Sequence, residues 1–432
     1  MLKLVFKALN IRPDEEGRAA LLLGYGFFMG VFLATFQLAT ETQLVTQAGE
    51  ADSENLIRQG LFLAAIFGVI TTALFAFFQN KISYGVFSII NLLIVFSVVV
   101  TFFLLYTFLP DNYYKLLSFI QFVFLGPVIA VFLLGFWGVF GRLFDLRQSK
   151  RIIGGIDSGQ LIAAIIAFFV IGLGVQVART YNLLLISAAS VIGALVFLSI
   201  LIKKYRLGEV KTESGESTNV GFRVMFKNKY VLLLALFISS SIFAYLLVEN
   251  SYLAALSKQY PVTQEASLRQ FLGWFNGSIL ILSLIFQTFF NDKIIAEYGL
   301  KVALMILPVV LGFLAILVII VGHVVGQPVS MTIIPVFFLF VALNKLFITF
   351  LREALENPTF KLYFMTLDNK IRFDIQAKIE GVVVESAKVV AGGIIILLGL
   401  LSFFQIIHYY YILLFIIVGW VYMGSKLYAE YR

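Results

Sequence analysis

Long apolar runs separated by short polar segments make up the pattern of hydrophobic and polar positions along the chain. About 20 apolar residues form an α-helix long enough to cross the ~30 Å hydrocarbon core of a bilayer. The sequence contains twelve such runs, and we predict an all-α membrane protein with twelve transmembrane helices. The predicted spans lie near residues 19–42, 57–79, 86–109, 116–140, 152–175, 180–202, 230–256, 270–290, 299–322, 328–350, 380–403 and 406–425.

Composition agrees with this pattern. Of the 432 residues, 61% are hydrophobic and 13% are charged, and the mean hydropathy is +0.98. Soluble domains average ~25% charged residues, so an ordinary globular enzyme is excluded. The chain has no cysteine and only two histidines, His323 and His408, so we expect no metal centre, no cofactor and no catalytic triad. The net charge of +8 is typical of basic cytoplasmic loops, and we expect no nucleic-acid partner.

The basic residues predict the orientation in the membrane. Lys and Arg near helix ends are retained on the cytoplasmic side, and an even number of spans puts both termini on one side. If the N-terminus is inside, most of the 32 Lys and Arg residues fall on the inner side. We therefore predict that both termini are cytoplasmic. The exceptions are Arg58, Lys115, Arg179, Lys258 and Arg269 on the outer side, and Lys345 and Lys388 within spans.

A weak internal repeat predicts two six-helix halves joined by a polar linker. Residues 80–85 (NKISYG) follow the second span, and residues 291–299 (NDKIIAEYG) follow the eighth. The second segment resembles, in degenerate form, the loop signature of the major facilitator superfamily, because it has the order Asp292, Lys293 and Gly299. Asp292 is therefore a candidate gating residue in a cytoplasmic loop. Parallel six-helix repeats are typical of that transporter fold, with substrate bound near the midplane. The predicted segments are 1–18 (cytoplasmic), 19–202 (first bundle), 203–229 (cytoplasmic linker), 230–425 (second bundle) and 426–432 (cytoplasmic tail).

Four polar residues in the first and seventh spans are candidate substrate-binding groups. Charge inside the hydrocarbon region costs about 2.5 kcal/mol or more, so a buried acid needs a partner or a water-filled cavity. Glu41 shares a helix face with Gln37, and Glu249 precedes Asn250 late in the seventh span. We expect these acids to face a central cavity. The alternative is that both acids lie at the outer interface and reach water there.

Other charged residues are candidates for binding or for gating. Glu385 and Lys388 lie three residues apart in the eleventh span, where they either pair with each other or bind substrate. Lys345 is close enough to the inner end of span ten to extend its amine to water. The basic loop after the fourth span is expected to be a solvated inner face that clamps the two halves together. Its candidate residues are Arg142, Asp145, Lys150 and Arg151.

Three stretches together resemble the ATP/ADP translocase family of nucleotide transporters, and the likeness covers most of residues 130–395. The first two are Leu247-Val248-Glu249 with Tyr252, Tyr260-Pro261 and Phe271-Leu272-Gly273, and Phe136-Trp137-Gly138 with Lys150-Arg151. The third runs from Asn357-Pro358-Thr359 through Asp368, Arg372 and Lys388 to Gly392-Gly393. The resemblance implies a twelve-helix major-facilitator fold, nucleotide exchange and functional roles for Glu249 and Lys388. It also makes Asp368 and Arg372 candidate cytoplasmic gating residues.

The sequence departs from that family at several charged positions. Gln37 and Thr40 stand where the family has Arg and Lys, Leu253 replaces a Lys, and Glu385 replaces an Arg. We therefore expect a secondary transporter of a nucleotide-like or other small polar metabolite in a bacterial inner membrane, working by alternating access. Its partners would be the lipid bilayer, a nucleotide or nucleoside, and a coupling proton or ion. The alternative is a non-transporting membrane scaffold, sensor or anchor for a soluble partner.

Overall fold

The protein is described by a computed structural model that covers residues 11–79, 81–173, 179–205, 221–260, 262–324, 336–401 and 403–431. Its main elements are twelve α-helices. They are α1 (Glu16–Gln47), α2 (Gly49–Phe78), α3 (Tyr84–Phe108), α4 (Tyr114–Leu143), α5 (Leu146–Gly172), α6 (Leu183–Tyr205), α7 (Lys229–Gln259), α8 (Glu265–Phe289), α9 (Asn291–Val324), α10 (Val336–Leu351), α11 (Val384–Gly399) and α12 (Ile406–Tyr431).

Eleven helices within the described residues are long and apolar enough to cross a bilayer. The remaining predicted span, 328–350, is represented by the 16 residues of α10, because its first part lies outside the described residues. The prediction of an all-α, polytopic membrane fold is confirmed. Most of the predicted linker (206–220) and Asn80 of the repeat also lie outside the described residues.

The segment between α10 and α11 joins the tenth and eleventh predicted spans. The distribution of Lys and Arg predicts that residues 352–378 are cytoplasmic, and this stays a prediction. The segment contains a π-helical turn (Arg352–Glu356), two short helices (Asn357–Tyr363 and Asn369–Lys378) and a second π-helical turn (Ile379–Val383). π-Helical turns inside helical segments occur frequently at functional sites.

Local sequence signals explain where several helices begin or break. The Asn228 side chain accepts hydrogen bonds from the backbone N–H groups of Tyr230 and Val231 and so caps the start of α7. Asp145 and Gln148 form a reciprocal capping box at the start of α5. α9 is interrupted at Gly299, whose φ of 79° lies in a region that favours glycine.

The helices group into two compact units, and unit 1 comprises Met1–Gln47, Ile70–Glu213 and Gln264–Ser278. Within it, α1 packs against α4, α5 and α6. The contact between α1 and α5 is very close at Gly30, where an added Cβ would lie 2.0 Å from the backbone oxygen of Gln160. Small residues allow such close approach of helices in membranes. Phe32 stacks on Phe36 and contacts Phe132 in the same core.

Unit 2 comprises Ala48–Val69, Ser214–Thr263 and Ile279–Arg432. Its central helix is α7, which packs against α10, α11 and α12. Trp420 is fully buried beside Phe237, and Phe237 stacks on Phe360 from the short helix after α10. The prediction of six-helix halves bounded at residues 203–229 stays a prediction.

Candidate functional site

A buried ion pair joins α7 to α10 in unit 2. The Lys345 amine contacts the Glu249 carboxylate, and the two residues are 6% and 8% exposed. The amine also lies 5.0 Å from the ring centroid of Tyr245 and 5.9 Å from that of Tyr252. Aromatic faces stabilise a cation, so the Lys345 amine has both the carboxylate and two rings as partners. The Glu249 carboxylate has the amine as its partner, in a region where charge is costly. The sequence prediction did not include this pair, because Lys345 was expected to reach the inner interface.

The ion pair is one end of a polar seam, which we define as Ser241, Tyr245 and Glu249 of α7 with Lys345, Arg352 and Glu356 of the facing segment. Residues 241, 245 and 249 are spaced by four and therefore share one face of α7. The Arg352 guanidinium lies 5.1 Å from the Tyr245 ring centroid. The Ser241 hydroxyl donates a hydrogen bond of 2.5 Å to Oε1 of Glu356. Ionisable and hydroxyl groups therefore follow the contact between these two segments over several helical turns.

Glu356 is the most deeply buried acid of the polar seam, with no exposed surface. Its Oε1 also lies 3.8 Å from Nε of Arg352 in the same π-helical turn. Its Oε2 has no hydrogen-bond partner among the described residues. Sequence reasoning missed Glu356 because it follows the end of a predicted span. The signal that could have found it is its place directly before Asn357-Pro358-Thr359.

Glu41, the candidate acid of unit 1, is bound by side-chain amides. Gln37 donates to its Oε1 at 2.7 Å, as their shared helix face predicted, and Asn276 of α8 lies 3.5 Å from its Oε2. At the preceding residue, the Thr40 hydroxyl accepts a hydrogen bond from the Gln121 amide of α4 at 2.8 Å. These contacts place a carboxylate and several amides together late in α1. Such a group can accept and donate hydrogen bonds to a polar solute.

The other predicted binding residues lie on α11 and α7 of unit 2. Glu385 and Lys388 pair at 2.7 Å, and their side chains are 17% and 36% exposed. Gly68 of α2 leaves room for this pair, since an added Cβ there would lie 3.0 Å from Oε2 of Glu385. Asn250 is 2% exposed, and its Oδ1 has no hydrogen-bond partner among the described residues.

The candidate residues of the loop after α4 hold unit 1 together at one end of its helices. The Arg142 guanidinium stacks 3.4 Å from the Tyr84 ring centroid and donates to the Gly138 carbonyl. Arg151 binds both carboxylate oxygens of the buried Glu15 at 2.5 Å. Asp145 serves as the cap of α5. The side chain of Lys150 lies outside the described residues.

The corresponding candidates in unit 2 are more exposed. Asp292 is exposed in the first turn of α9. Asp368 is exposed just before the helix Asn369–Lys378, and its carbonyl accepts a hydrogen bond from the Arg372 backbone at 2.9 Å. Arg372 is half-buried. All three residues lie in or beside the first turn of a helix, and their role in gating stays a prediction.

A repeated Glu-Arg-Gln pattern was not recognised from the sequence. Glu54, Arg58 and Gln59 recur as Glu265, Arg269 and Gln270, each 211 positions later, which is also the spacing of Asn80 and Asn291. In unit 2, Arg58 pairs with Glu54 and donates to the Gly399 carbonyl at the end of α11. In unit 1, Arg269 donates to the Thr180 hydroxyl, and Glu265 accepts from the Thr180 backbone. Each unit therefore uses the same pattern to anchor the start of a helix.

Long apolar helices that bury paired charges are typical of polytopic membrane proteins with a functional polar interior, a class that includes transporters. The model of the TLC ATP/ADP transporter family matches residues 111–431, and the chain belongs to this family. No curated protein sequence matches the chain.

Solved transporter structures share the fold at low identity. A nucleoside transporter, NupG, has 16% identity and a TM-score of 0.62, with 96% of this chain and 99% of that chain covered. A D-xylose-proton symporter has 14% identity and a TM-score of 0.63, with 94% and 96% covered. A POT family transporter in complex with a thioalcohol-conjugated peptide has 14% identity and a TM-score of 0.63, with 94% and 95% covered.

Family and fold together define an integral membrane transporter of small solutes. They support the resemblance to ATP/ADP translocases and the major-facilitator type of fold. They favour a transporter over the alternative of a scaffold, sensor or anchor, and over an enzyme.

Proposed function

We propose that this transporter moves a nucleoside or a nucleotide of low charge, rather than exchanging ATP for ADP. The observation that carries the proposal is the pairing of the two lysines within the predicted spans. Lys345 pairs with Glu249, and Lys388 pairs with Glu385. Each cation is balanced by an acid before any solute binds. A triphosphate needs several cations to offset its charge in a partly dry site.

The substitutions relative to the family point in the same direction. Gln37, Thr40 and Leu253 are neutral where the resemblance expects cations, and Glu385 is an acid where it expects Arg. One charge pair at ~4 Å contributes about 4 kcal/mol at an effective dielectric near 20, before desolvation is subtracted. Removing several such pairs weakens binding of a triphosphate far more than binding of a nucleoside.

Neutral polar groups near the acids suit the sugar and base of a nucleoside. The buried Oδ1 of Asn250 can accept a hydrogen bond from a hydroxyl or amino group. Glu41 and its two amide neighbours offer both acceptors and donors. We infer that Asn250 and Glu249 of unit 2 contact the solute during an alternating-access cycle.

Ligand-induced stabilisation of the purified protein tests this choice of solute. A ligand at 100 times its Kd raises the unfolding free energy by about 2.7 kcal/mol. We expect nucleosides and nucleoside monophosphates to raise the melting temperature more than ATP at equal concentration. Glu249→Gln should remove this response, whereas the exposed Glu297→Gln should retain it. A larger response to ATP than to any nucleoside would contradict the proposal.

We also propose that the protein lies in a bacterial inner membrane with both termini in the cytoplasm. The uneven distribution of Lys and Arg supports this orientation. Because the chain has no cysteine, single cysteines can report it. Asn112→Cys, in the exposed turn before α4, should react with an impermeant thiol reagent in intact cells. Ser83→Cys, exposed before α3, should react only after permeabilisation. The reverse pattern would overturn the orientation.

A further inference from the structure

Glu356 is fully buried against the middle of α7, a helix long and apolar enough to cross a bilayer. Its partner Ser241 is about 18 Å from the start of this 31-residue helix, at 1.5 Å per residue. An ionisable residue buried within a bundle of membrane-spanning helices is by default a functional candidate.

The two carboxylate oxygens of Glu356 differ in their contacts. Ser241 and Arg352 approach Oε1, whereas Oε2 has no hydrogen-bond partner among the described residues. A fixed carboxylate would be expected to use the acceptor capacity of both oxygens, because an unsatisfied buried acceptor costs about 1–3 kcal/mol and more if charged. Adding a proton at Oε2 removes the buried charge without disturbing the hydrogen bond from Ser241.

We propose that Glu356 is a proton-binding site of this transporter, at which a proton adds to Oε2 of the carboxylate and leaves from it during the transport cycle. The inference deepens the proposed function, because it names the coupling ion and the group that carries it. The proton forms one O–H bond and neutralises one negative charge, and no other bond changes.

Arg352 links this proton to the rest of the polar seam. Its guanidinium lies near Oε1 of Glu356 and also against the Tyr245 ring, which in turn contacts the Lys345 amine. With Glu356 ionised, Glu249 and Glu356 balance Lys345 and Arg352. With Glu356 protonated, the same four side chains carry one net positive charge. Proton uptake therefore favours binding of an anionic or electron-rich solute group, which is the coupling that a symporter needs.

Other ionisable groups lie on the π-helical turn Arg352–Glu356 and on the elements that pack against it, and their charges contribute to the electrostatic potential at Glu356. They are Glu353 on the turn, Tyr245 and Glu249 on α7, Lys345 on α10, Lys361 and Tyr363 on the following helix, and Asp292, Lys293, Glu297, Tyr298, Lys301 and His323 towards the two ends of α9. Of these, Glu353 is exposed in the same turn and provides a matched control for Glu356.

Infrared difference spectroscopy on the purified protein in lipid tests the site without any solute. As the pH is lowered, the wild type and Glu353→Gln should gain the carbonyl band of a protonated carboxylic acid, and Glu356→Gln should lack it. Ser241→Ala should retain the band at a higher wavenumber, because the hydrogen bond to the carboxyl group is lost. If Glu356→Gln does not fold, the shift of the band in Ser241→Ala decides whether Glu356 is the group that takes up the proton. A wild-type spectrum without a titrating band that depends on Glu356 or Ser241 would overturn the proposal.

Transport in liposomes separates proton coupling from solute binding. An inward proton gradient should drive nucleoside accumulation by the wild type and by Glu353→Gln. Glu356→Gln should lose this accumulation and keep solute exchange without a gradient. Accumulation by Glu356→Gln equal to that of the wild type would refute the proposal. If the wild type moves no nucleoside in either assay, the proposed function fails, while the infrared result still decides the role of Glu356.

Discussion

The acid of α1 and the acid of α7 have different partners, although both lie in the second half of their helices. Amides of Gln37 and Asn276 bind Glu41, whereas the amine of Lys345 binds Glu249. An amide is a neutral hydrogen-bond donor, whereas a lysine carries a charge that cancels that of the carboxylate. These contacts of Glu41 are therefore neutral hydrogen bonds, and the contact of Glu249 is an ion pair.

Close helix packing is a second difference between the two units. In unit 1, α1 meets α5 at Gly30, where no side chain fits. In unit 2, α7 meets the segment that carries Lys345, Arg352 and Glu356 through long polar side chains. The contact of α1 with α5 thus depends on steric fit at Gly30. The contact of α7 with the segment that carries Lys345, Arg352 and Glu356 depends on the balance of their charges.

Removal of the lysine in unit 2 should have the largest effect on stability. Lys345→Met leaves Glu249 buried without its cation and should lower the unfolding free energy by about 3 kcal/mol. Addition of Glu249→Leu should restore much of the loss, because two apolar groups replace a charge pair. Denaturant unfolding in detergent measures both values. Additive losses in the double variant would show that the pair is not coupled.

The glycine contact of unit 1 should be the next most sensitive position. Gly30→Ala places a methyl group against the Gln160 carbonyl, and overpacking of this kind costs about 1–3 kcal/mol. Gly312→Ala in unit 2 is the matched control, because its added Cβ would lie 3.4 Å from Ile417. Equal stability of the two variants would show that close packing at Gly30 does not matter.

The smallest change in stability is expected at the acid of unit 1. Glu41→Gln keeps an acceptor for the neighbouring amides and should cost about 1 kcal/mol. Its effect on solute binding should be larger than its effect on stability. A stability loss as large as that of Lys345→Met would mean that the charge of Glu41 is as tightly balanced as that of Glu249.

The sequence predicted the helices well because apolar runs of membrane-spanning length are a strong signal. It also predicted the pairs of Gln37 with Glu41 and of Glu385 with Lys388, since three- and four-residue spacings fix neighbours on one helix. It did not predict the pair of Glu249 with Lys345, which are 96 positions apart. It also missed Glu356, because polarity after an apolar run is typical of a loop, and only the packing of the π-helical turn buries this side chain.

Solute counterflow in liposomes tests the central claim most directly, namely that this member of an ATP/ADP transporter family carries a solute of low charge. Purified protein is reconstituted with unlabelled nucleoside or ADP inside, and uptake of labelled nucleoside or ATP is measured against empty liposomes. We predict saturable nucleoside uptake that depends on internal nucleoside and is lost in Glu249→Gln, with little ATP uptake. Saturable ATP uptake that depends on internal ADP and exceeds nucleoside uptake would contradict the account.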